Sequence, residues 1–383
     1  MGFKFTSLCD LLSQLEENRV VKATTVKPEA PDIQTVAQWF HAHERRLHHP
    51  ETDALAFLSC LFPEGRPDRV YGLQAASLAR IIGRCLGLGS SRLSELNRWR
   101  TPGGPDLGQC VENVLRQAEN PLHSGKAIST EEINQTLDQI ASRCRFSAPR
   151  ARRQQGAVDI ESALSPLYQR LSSRDAKWLT RMILKNYAPI TLPENFTLSQ
   201  FHVLLPHLLQ FQNNFESALH TLSLEPMNKF PPRPDRFLIP QLCSAVLEHL
   251  QPRIGYKIGR PEYYKARSTK HCYDLIKGRR MSLERKYDGE YCQIHVDLTN
   301  KQSPYQIFSK SGKDSSADRA AIIPTLTRCL NVGAVDCKFK TSCILEGELV
   351  VWDEELGGIA DFHKLRKHLP RSGTFLGIES DSP

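Results

Sequence analysis

Residues Glu284-Arg285-Lys286-Tyr287-Asp288-Gly289 place a primary amine two positions ahead of an Asp-Gly pair. The flanking stretches, Met281-Ser282-Leu283 and Tyr291-Cys292-Gln293-Ile294-His295-Val296, both read as sheet segments. The lysine is therefore expected at a strand end, inside a strand, turn, strand unit. An amine held there loses part of its hydration and becomes a competent nucleophile. The plainer reading is a solvated surface charge, with Asp288 and Gly289 forming an ordinary turn. Further on, Leu345-Glu346-Gly347-Glu348-Leu349-Val350-Val351-Trp352 reads as another strand. On residue type alone, Glu348 is a strand-end carboxylate like any other.

Three cationic features accompany the amine. Lys177, Arg181 and Lys185 recur every fourth residue, so they share a helix face at intervals of about 6 Å. That face is either solvated or a set of contacts to the phosphates of a nucleic-acid backbone, which would position a duplex without reading its sequence. Arg143, Arg145, Arg150, Arg152 and Arg153 form a basic stretch interrupted by Pro149, read as a loop between helices. Residues 260–280 carry Lys265, Arg267, Lys270, Lys277, Arg279 and Arg280 with Tyr263, Tyr264 and Tyr273 interleaved. A positive field there attracts a phosphate substrate, or the run is a solvated connector.

The elements that must position these groups fall into two kinds. The first ~240 residues read as helical, from apolar spacing of three and four. Ile33, Val36, Ala37 and Phe40 form one such face, and Leu78, Ile81, Ile82 and Cys85 form another that ends at Gly87-Leu88-Gly89. Ser129 with Glu132, and Ser172 with Asp175, have the spacing of helix N-caps. Pro231-Pro232-Arg233-Pro234 cannot continue a helix and marks a boundary. Beyond it short strands dominate, with a helical pattern between them through Ala321, Ile322, Leu326 and Leu330. The expected architecture is multidomain: an all-α region over residues 1–235, then an α+β region over 236–383.

Composition permits this and narrows the setting. A chain of 383 residues with 40% hydrophobic and 24% charged residues is of ordinary globular make-up and long enough for two domains. A formal net charge of +8 is compatible with a polyanionic partner. The 11 cysteines contain no C-x-x-C pair, so free thiols in a reducing compartment are expected, in the cytosol or nucleus. No apolar run approaches the roughly 20 residues needed to span a membrane.

Three motifs in order carry a family resemblance. Glu284 to Gly289 is similar to the nucleotidyl-lysine motif K-x-D-G of enzymes that attach a nucleotide to themselves. Phe308-Ser309-Lys310-Ser311-Gly312 resembles the run that follows it, and Leu345 to Asp353 resembles the third motif. Lys177-Trp178-Leu179-Thr180-Arg181-Met182-Ile183-Leu184-Lys185 resembles a helix of the DNA-binding domain. Together they resemble the eukaryotic ATP-dependent DNA ligases, most closely the DNA ligase IV type. The resemblance implies an N-terminal helical DNA-binding domain and a nucleotidyltransferase (adenylation) domain. It implies that Lys286 attacks the α-phosphate of ATP and forms a lysine–AMP phosphoramidate. Glu284 would then bond the adenine amino group, Asp288 and Gly289 would complete the ATP site, and Glu348 would contact the ribose or hold Mg2+. Lys177, Arg181, Lys185, Arg150, Arg152 and Arg153 would face duplex DNA with nicks or breaks. The implied setting is double-strand-break repair and recombination in the nucleus, beside a repair scaffold protein of unknown identity and with no membrane.

Two departures qualify these expectations. Five residues after the lysine the family has arginine, and this chain has Tyr291, which offers no guanidinium fork. The family's later motifs and its oligonucleotide-binding barrel are not found before Pro383, so the chain is expected to be a C-terminally truncated N-terminal portion of that architecture. The rival expectations are a catalytically incomplete DNA-binding protein and an mRNA-capping guanylyltransferase, which shares K-x-D-G but lacks such a helical region.

Overall fold

A computed structural model describes residues 2–22, 30–117, 127–152, 159–247, 250–260 and 263–368. They divide into two compact units. One contains residues up to Leu209 and Asn213–Gln251, and the other contains Gln210–Gln212 and the chain from Pro252 onward.

The first unit is helical. Its helices are α1 (Phe5–Lys22), α2 (Ala30–Leu47), α3 (Ala54–Leu61), α4 (Ala75–Cys85), α5 (Ser90–Leu96), α6 (Leu107–Arg116) and α7 (Thr130–Arg143). They continue with α8 (Pro149–Arg152), α9 (Ile160–Tyr168), α10 (Ser173–Ile183), α11 (Glu194–Phe201), α12 (Leu205–Phe211), α13 (Phe215–Ser223) and α14 (Ile239–Val246). Local chemistry sets several of the ends. Ser129 accepts the Glu132 N–H at 3.2 Å, and Ser172 accepts that of Asp175 at 3.2 Å, as their spacing predicts. The α4 terminus is a Schellman turn: Leu88 N–H donates to the Gly83 carbonyl and Gly87 N–H to that of Arg84, both at 3.0 Å. Gly87 holds φ +58° there, which a residue with a Cβ adopts only under strain.

Aromatic packing anchors the N-terminal segment in this core. Phe3 is 1% exposed, with its ring 5.1 Å from that of Phe57 and 5.8 Å from that of Trp39. Trp178 of α10 is fully buried, and its indole N–H donates to Ser13 of α1 at 2.9 Å. The proline run at 231–234 is docked on this unit. Val203 N–H donates to the Pro232 carbonyl at 2.9 Å, and Arg233 Nε donates to the Gln200 carbonyl at 2.8 Å. The helical unit thus extends past residue 235 as far as Gln251. Proline broke the helix there without ending the packing.

The second unit holds α15 (Thr269–Ile276), β1 (Glu290–Asp297), β2 (Tyr305–Phe308), α16 (Ile323–Cys329), β3 (Ser342–Leu349), β4 (Trp352–Asp353), β5 (Gly358–Ile359) and α17 (Phe362–His368). β1 is the middle strand of an antiparallel sheet, order β2-β1-β3, and β4 pairs with β5. Alternation along β1 sorts its side chains. Cys292, Ile294 and Val296 meet Ile307 and Tyr305 of β2, and Ile322, Ile323, Leu326 and Leu330 cover them as the α16 face of the core. Tyr291, Gln293 and His295 point to the opposite side. The expected strand at Met281-Ser282-Leu283 is absent. These residues are exposed and form neither helix nor strand. β1 has a partner on each edge, and neither β2 nor β3 takes these residues up on its outer edge.

Candidate active site

Lys286 lies four residues before β1 in a stretch, 279–288, that is exposed throughout and forms neither helix nor strand. Its amine donates to the Tyr287 carbonyl at 3.4 Å. The expectation that a strand end desolvates this amine is therefore corrected: Lys286 faces solvent. Glu284 and Asp288 are exposed beside it.

What ties this segment to the sheet is Gly289. A Cβ there would lie 2.2 Å from the Leu349 carbonyl oxygen and 3.0 Å from Cγ of Glu348 and Cγ1 of Val350. Only glycine lets the chain pass so close to the end of β3. Register does the rest. Glu290 sits opposite Leu349 and Tyr291 opposite Glu348. The Lys286 segment enters the sheet at the same end where Glu348 leaves it. Arg319, 6% exposed, fastens this end of β1 by donating to Glu290 Oε2 at 2.9 Å and to Ser315 Oγ at 2.8 Å.

Glu346 and Glu348 stand two residues apart on β3 and so share the face that carries Tyr291, Gln293 and His295. Both carboxylates are exposed. Buried polar groups back this face. Gly255 N–H donates to His295 Nδ1 at 3.1 Å, Ile258 N–H donates to Gln293 Oε1 at 2.7 Å, and His295 Nε2 lies 3.1 Å from the same Oε1. Since Nδ1 accepts, Nε2 carries the proton. Burial, assisted by the Lys257 charge, pushes the imidazole down to about 4. Burial, followed by the charge and hydrogen bond of Glu346, pushes the Tyr291 hydroxyl up to about 12, so it stays a neutral donor. Lys257 is 4% exposed with its ammonium 5.5 Å from the Tyr291 ring centroid.

Mg2+ is a hard cation that takes one or two protein carboxylates and completes its shell with substrate phosphate oxygens and water. Glu348 and Glu346, exposed on one face, fit that use. No cluster of three or more metal-ligating side chains exists among the described residues, so a dedicated protein cage is not what this face offers. The Ser309–Gly312 segment is a tight turn beyond β2, closed by Ser309 N–H to the Lys313 carbonyl at 2.9 Å, with Gly312 at φ +84° and Lys310 exposed.

The expected phosphate-contacting stripe requires correction. Lys177 and Arg181 are 5% and 3% exposed. Lys177 pairs with Glu16 at 2.8 Å and Glu112 at 2.9 Å; Arg181 pairs with Glu16 at 2.8 Å and Asp106 at 2.7 Å. Burial alone would raise the Glu16 carboxyl, but the hydrogen bonds from Lys177 and Arg181 outweigh it and leave it below its ordinary range. α10 ends at Ile183, so Lys185 is not on its face at all. It adopts φ +53°, and its amine is spent on the carbonyls of Arg66 and Arg69, the latter at 2.7 Å. These three cations tie α10 to α1, α6 and a loop, and do not meet an external polyanion. Arg150 and Arg152 are exposed, Arg150 paired with Glu216. Arg153 lies outside the described residues.

Sequence reasoning passed over Glu346, Lys257 and Arg260. Glu346 was recoverable, since a period of two puts it beside Glu348. Nothing local marks Lys257 or Arg260, which reach this face through hydrogen bonds of the preceding loop to β1.

The sequence matches the family model described as DNA ligase N terminus over residues 4–202, and that of the ATP dependent DNA ligase domain over residues 264–379. Among curated proteins it is similar to DNA ligase 4 of Dictyostelium discoideum, 23% identical over 98% of this chain and 34% of that protein. It is likewise similar to DNA ligase 4 of Homo sapiens, 24% identical over 91% of this chain and 35% of the relative. DNA ligase 4 of Arabidopsis thaliana is 25% identical over 76% of this chain and 21% of its own length. The chain thus spans about a third or less of the relatives it matches.

Proposed function

We propose, from the premise that this chain belongs to the family of ATP-dependent DNA ligases, that its second unit adenylates itself at Lys286 and that its helical unit holds duplex DNA. In the adenylation, the unprotonated Lys286 amine attacks the α-phosphate of ATP. A P–N bond forms, the bond to the bridging oxygen breaks, pyrophosphate departs with the electron pair, and the nitrogen gives up one proton to solvent. Glu284, exposed two residues before the amine, accepts the adenine amino group. Asp288 and Gly289 shape the turn that brings Lys286 to the sheet end, and Glu348 faces the ribose and the phosphates. Mg2+, when bound, neutralises charge that builds on the leaving pyrophosphate. AMP then passes to a 5′-phosphate at a break, and a 3′-hydroxyl displaces it to seal the strand. On this reading the protein acts in nuclear double-strand-break repair and recombination, on nicked or broken duplex DNA beside a repair scaffold. Arg150 and Arg152, with Arg153, are the phosphate-facing cations of the helical unit.

The observation that carries this reading is the close pass of Gly289 against Leu349, which brings the lysine segment and Glu348 to one end of the sheet. The test is incubation with ATP labelled at the α-phosphate and Mg2+. Covalent label is expected on the wild type and absent from Lys286→Ala; label retained by Lys286→Ala refutes the assignment.

One observation favours a second reading, a DNA-binding protein that does not turn over: residues 279–288 are exposed along their whole length. Salt-sensitive binding to duplex DNA without any covalent label from ATP would select it.

A further inference from the structure

The face that carries Glu346 and Glu348 also carries a guanidinium with no ion-pair partner among the described residues. The Arg260 side chain lies over the Tyr291 ring, its Cζ 5.1 Å from the ring centroid. Tyr291 is in register with Glu348 on the neighbouring strand. Arg260 therefore stands above the strand position next to the carboxylate, at the end of the sheet where the Lys286 segment enters.

Two neighbours fix this arrangement and leave Arg260 unspent. Lys257 takes the buried position against the Tyr291 ring and donates to the Ile258 carbonyl at 2.9 Å. Burial pushes its ammonium below the ordinary value against the pull of Glu346, and the Arg260 charge adds to the lowering. The Tyr291 hydroxyl is occupied by Gln293, whose Nε2 donates to it at 3.3 Å. Arg260 is exposed and makes no ion pair with any described residue. The loop just ahead of it is held to the sheet by Ile258 N–H to Gln293 Oε1 at 2.7 Å. The guanidinium is thus presented by a fixed backbone on an aromatic platform, with its planar fork open to solvent.

We infer that Arg260 is a positioning residue for this site, holding a phosphate of the bound nucleotide through its guanidinium, with Tyr291 as the surface that sets its plane. A guanidinium matches two phosphate oxygens at once, which an ammonium does not. The ring beneath it limits the orientations it loses on binding. This inference rests on the adenylation reading for the identity of the ligand.

The test measures binding of ATP and of adenosine to the full chain by calorimetric titration, and labelling of Lys286 against ATP concentration. Arg260→Gln is expected to weaken ATP binding on the order of 10-fold while leaving adenosine within about twofold, and Arg260→Lys to recover part of the loss. Half-maximal labelling should shift to higher ATP by the same factor. Arg260 is exposed and makes no ion pair among the described residues, so these changes leave the fold intact. Equal affinity of Arg260→Gln and wild type for ATP overturns the inference, as does an equal loss for ATP and adenosine, or no ATP binding by the wild type. Arg260-dependent ATP binding without any adduct at Lys286 refutes the adenylation reading and leaves Arg260 in place.

Discussion

Gly289→Ala is the sharpest single perturbation of the site. The added methyl would start 2.2 Å from the Leu349 carbonyl oxygen, and that atom is backbone in a strand paired with β1 over its full length. Reaching ordinary contact requires a displacement of about 1 Å, which neither a rotamer change nor a flexible side chain supplies. Overpacking of this kind costs about 1–3 kcal/mol. The displaced atoms include Glu348 and Val350, so the same shift moves the carboxylate relative to Lys286. A misplacement of that size costs up to about 100-fold in rate. Two assays read it. Urea unfolding should give a lower midpoint for the second unit, and the rate of label transfer from ATP to Lys286 should fall more than the lost folded fraction explains. Wild-type stability together with a wild-type labelling rate would show that Gly289 and Leu349 do not approach closely in solution. The coupling between the lysine segment and β3 would then be lost.

Arg181→Leu should lower the stability of the helical unit by about 1–3 kcal/mol, because Asp106, itself partly exposed, loses its cation and Glu16 keeps only Lys177; an unchanged melting temperature would restore the surface reading of that residue. Acid should destabilise both units in a defined window. Burial, with the His48 charge adding in the first case, pushes His202 and His295 down to about 4, so each stays neutral in the fold while its unfolded counterpart takes up a proton below about 6.5. Their contribution is whole above that pH and declines as pH falls toward 4, by at most about 3 kcal/mol each. His295→Gln should flatten the decline for the second unit, and a wild-type stability that stays level from pH 7 to 4.5 would refute the burial argument. Arg150→Glu with Arg152→Glu should weaken duplex DNA binding at low salt and reduce its salt dependence; unaltered affinity would move the interface elsewhere on the helical unit.

The markers of the candidate site are legible in the sequence because they are local. Lys286, Asp288 and Gly289 are separated by a fixed chemistry within one turn. Glu346 and Glu348 share a strand, whose period of two assigns their face. The caps at Ser129 and Ser172 depend on an N–H three residues away, and both appear as spacing alone suggests. The cationic stripe was misread for the opposite reason. Its carboxylates come from positions 16, 106 and 112, far along the chain from α10, so helical periodicity detects the cations without detecting their partners. The strand expected at Met281 failed similarly, since a ladder is a property of two segments.

From its own order of residues this chain specifies helices followed by a small antiparallel sheet, an amine before an Asp-Gly turn, and carboxylates of one parity on a later strand. Those are short-range facts of spacing, capping and alternation. Packing assigned the rest. It exposed Lys286, buried Lys177 and Arg181, required glycine at 289, and set Arg260 on Tyr291. Burial and close approach arise between segments remote in sequence, and it is they that separate a cation holding the fold together from one left free for a ligand.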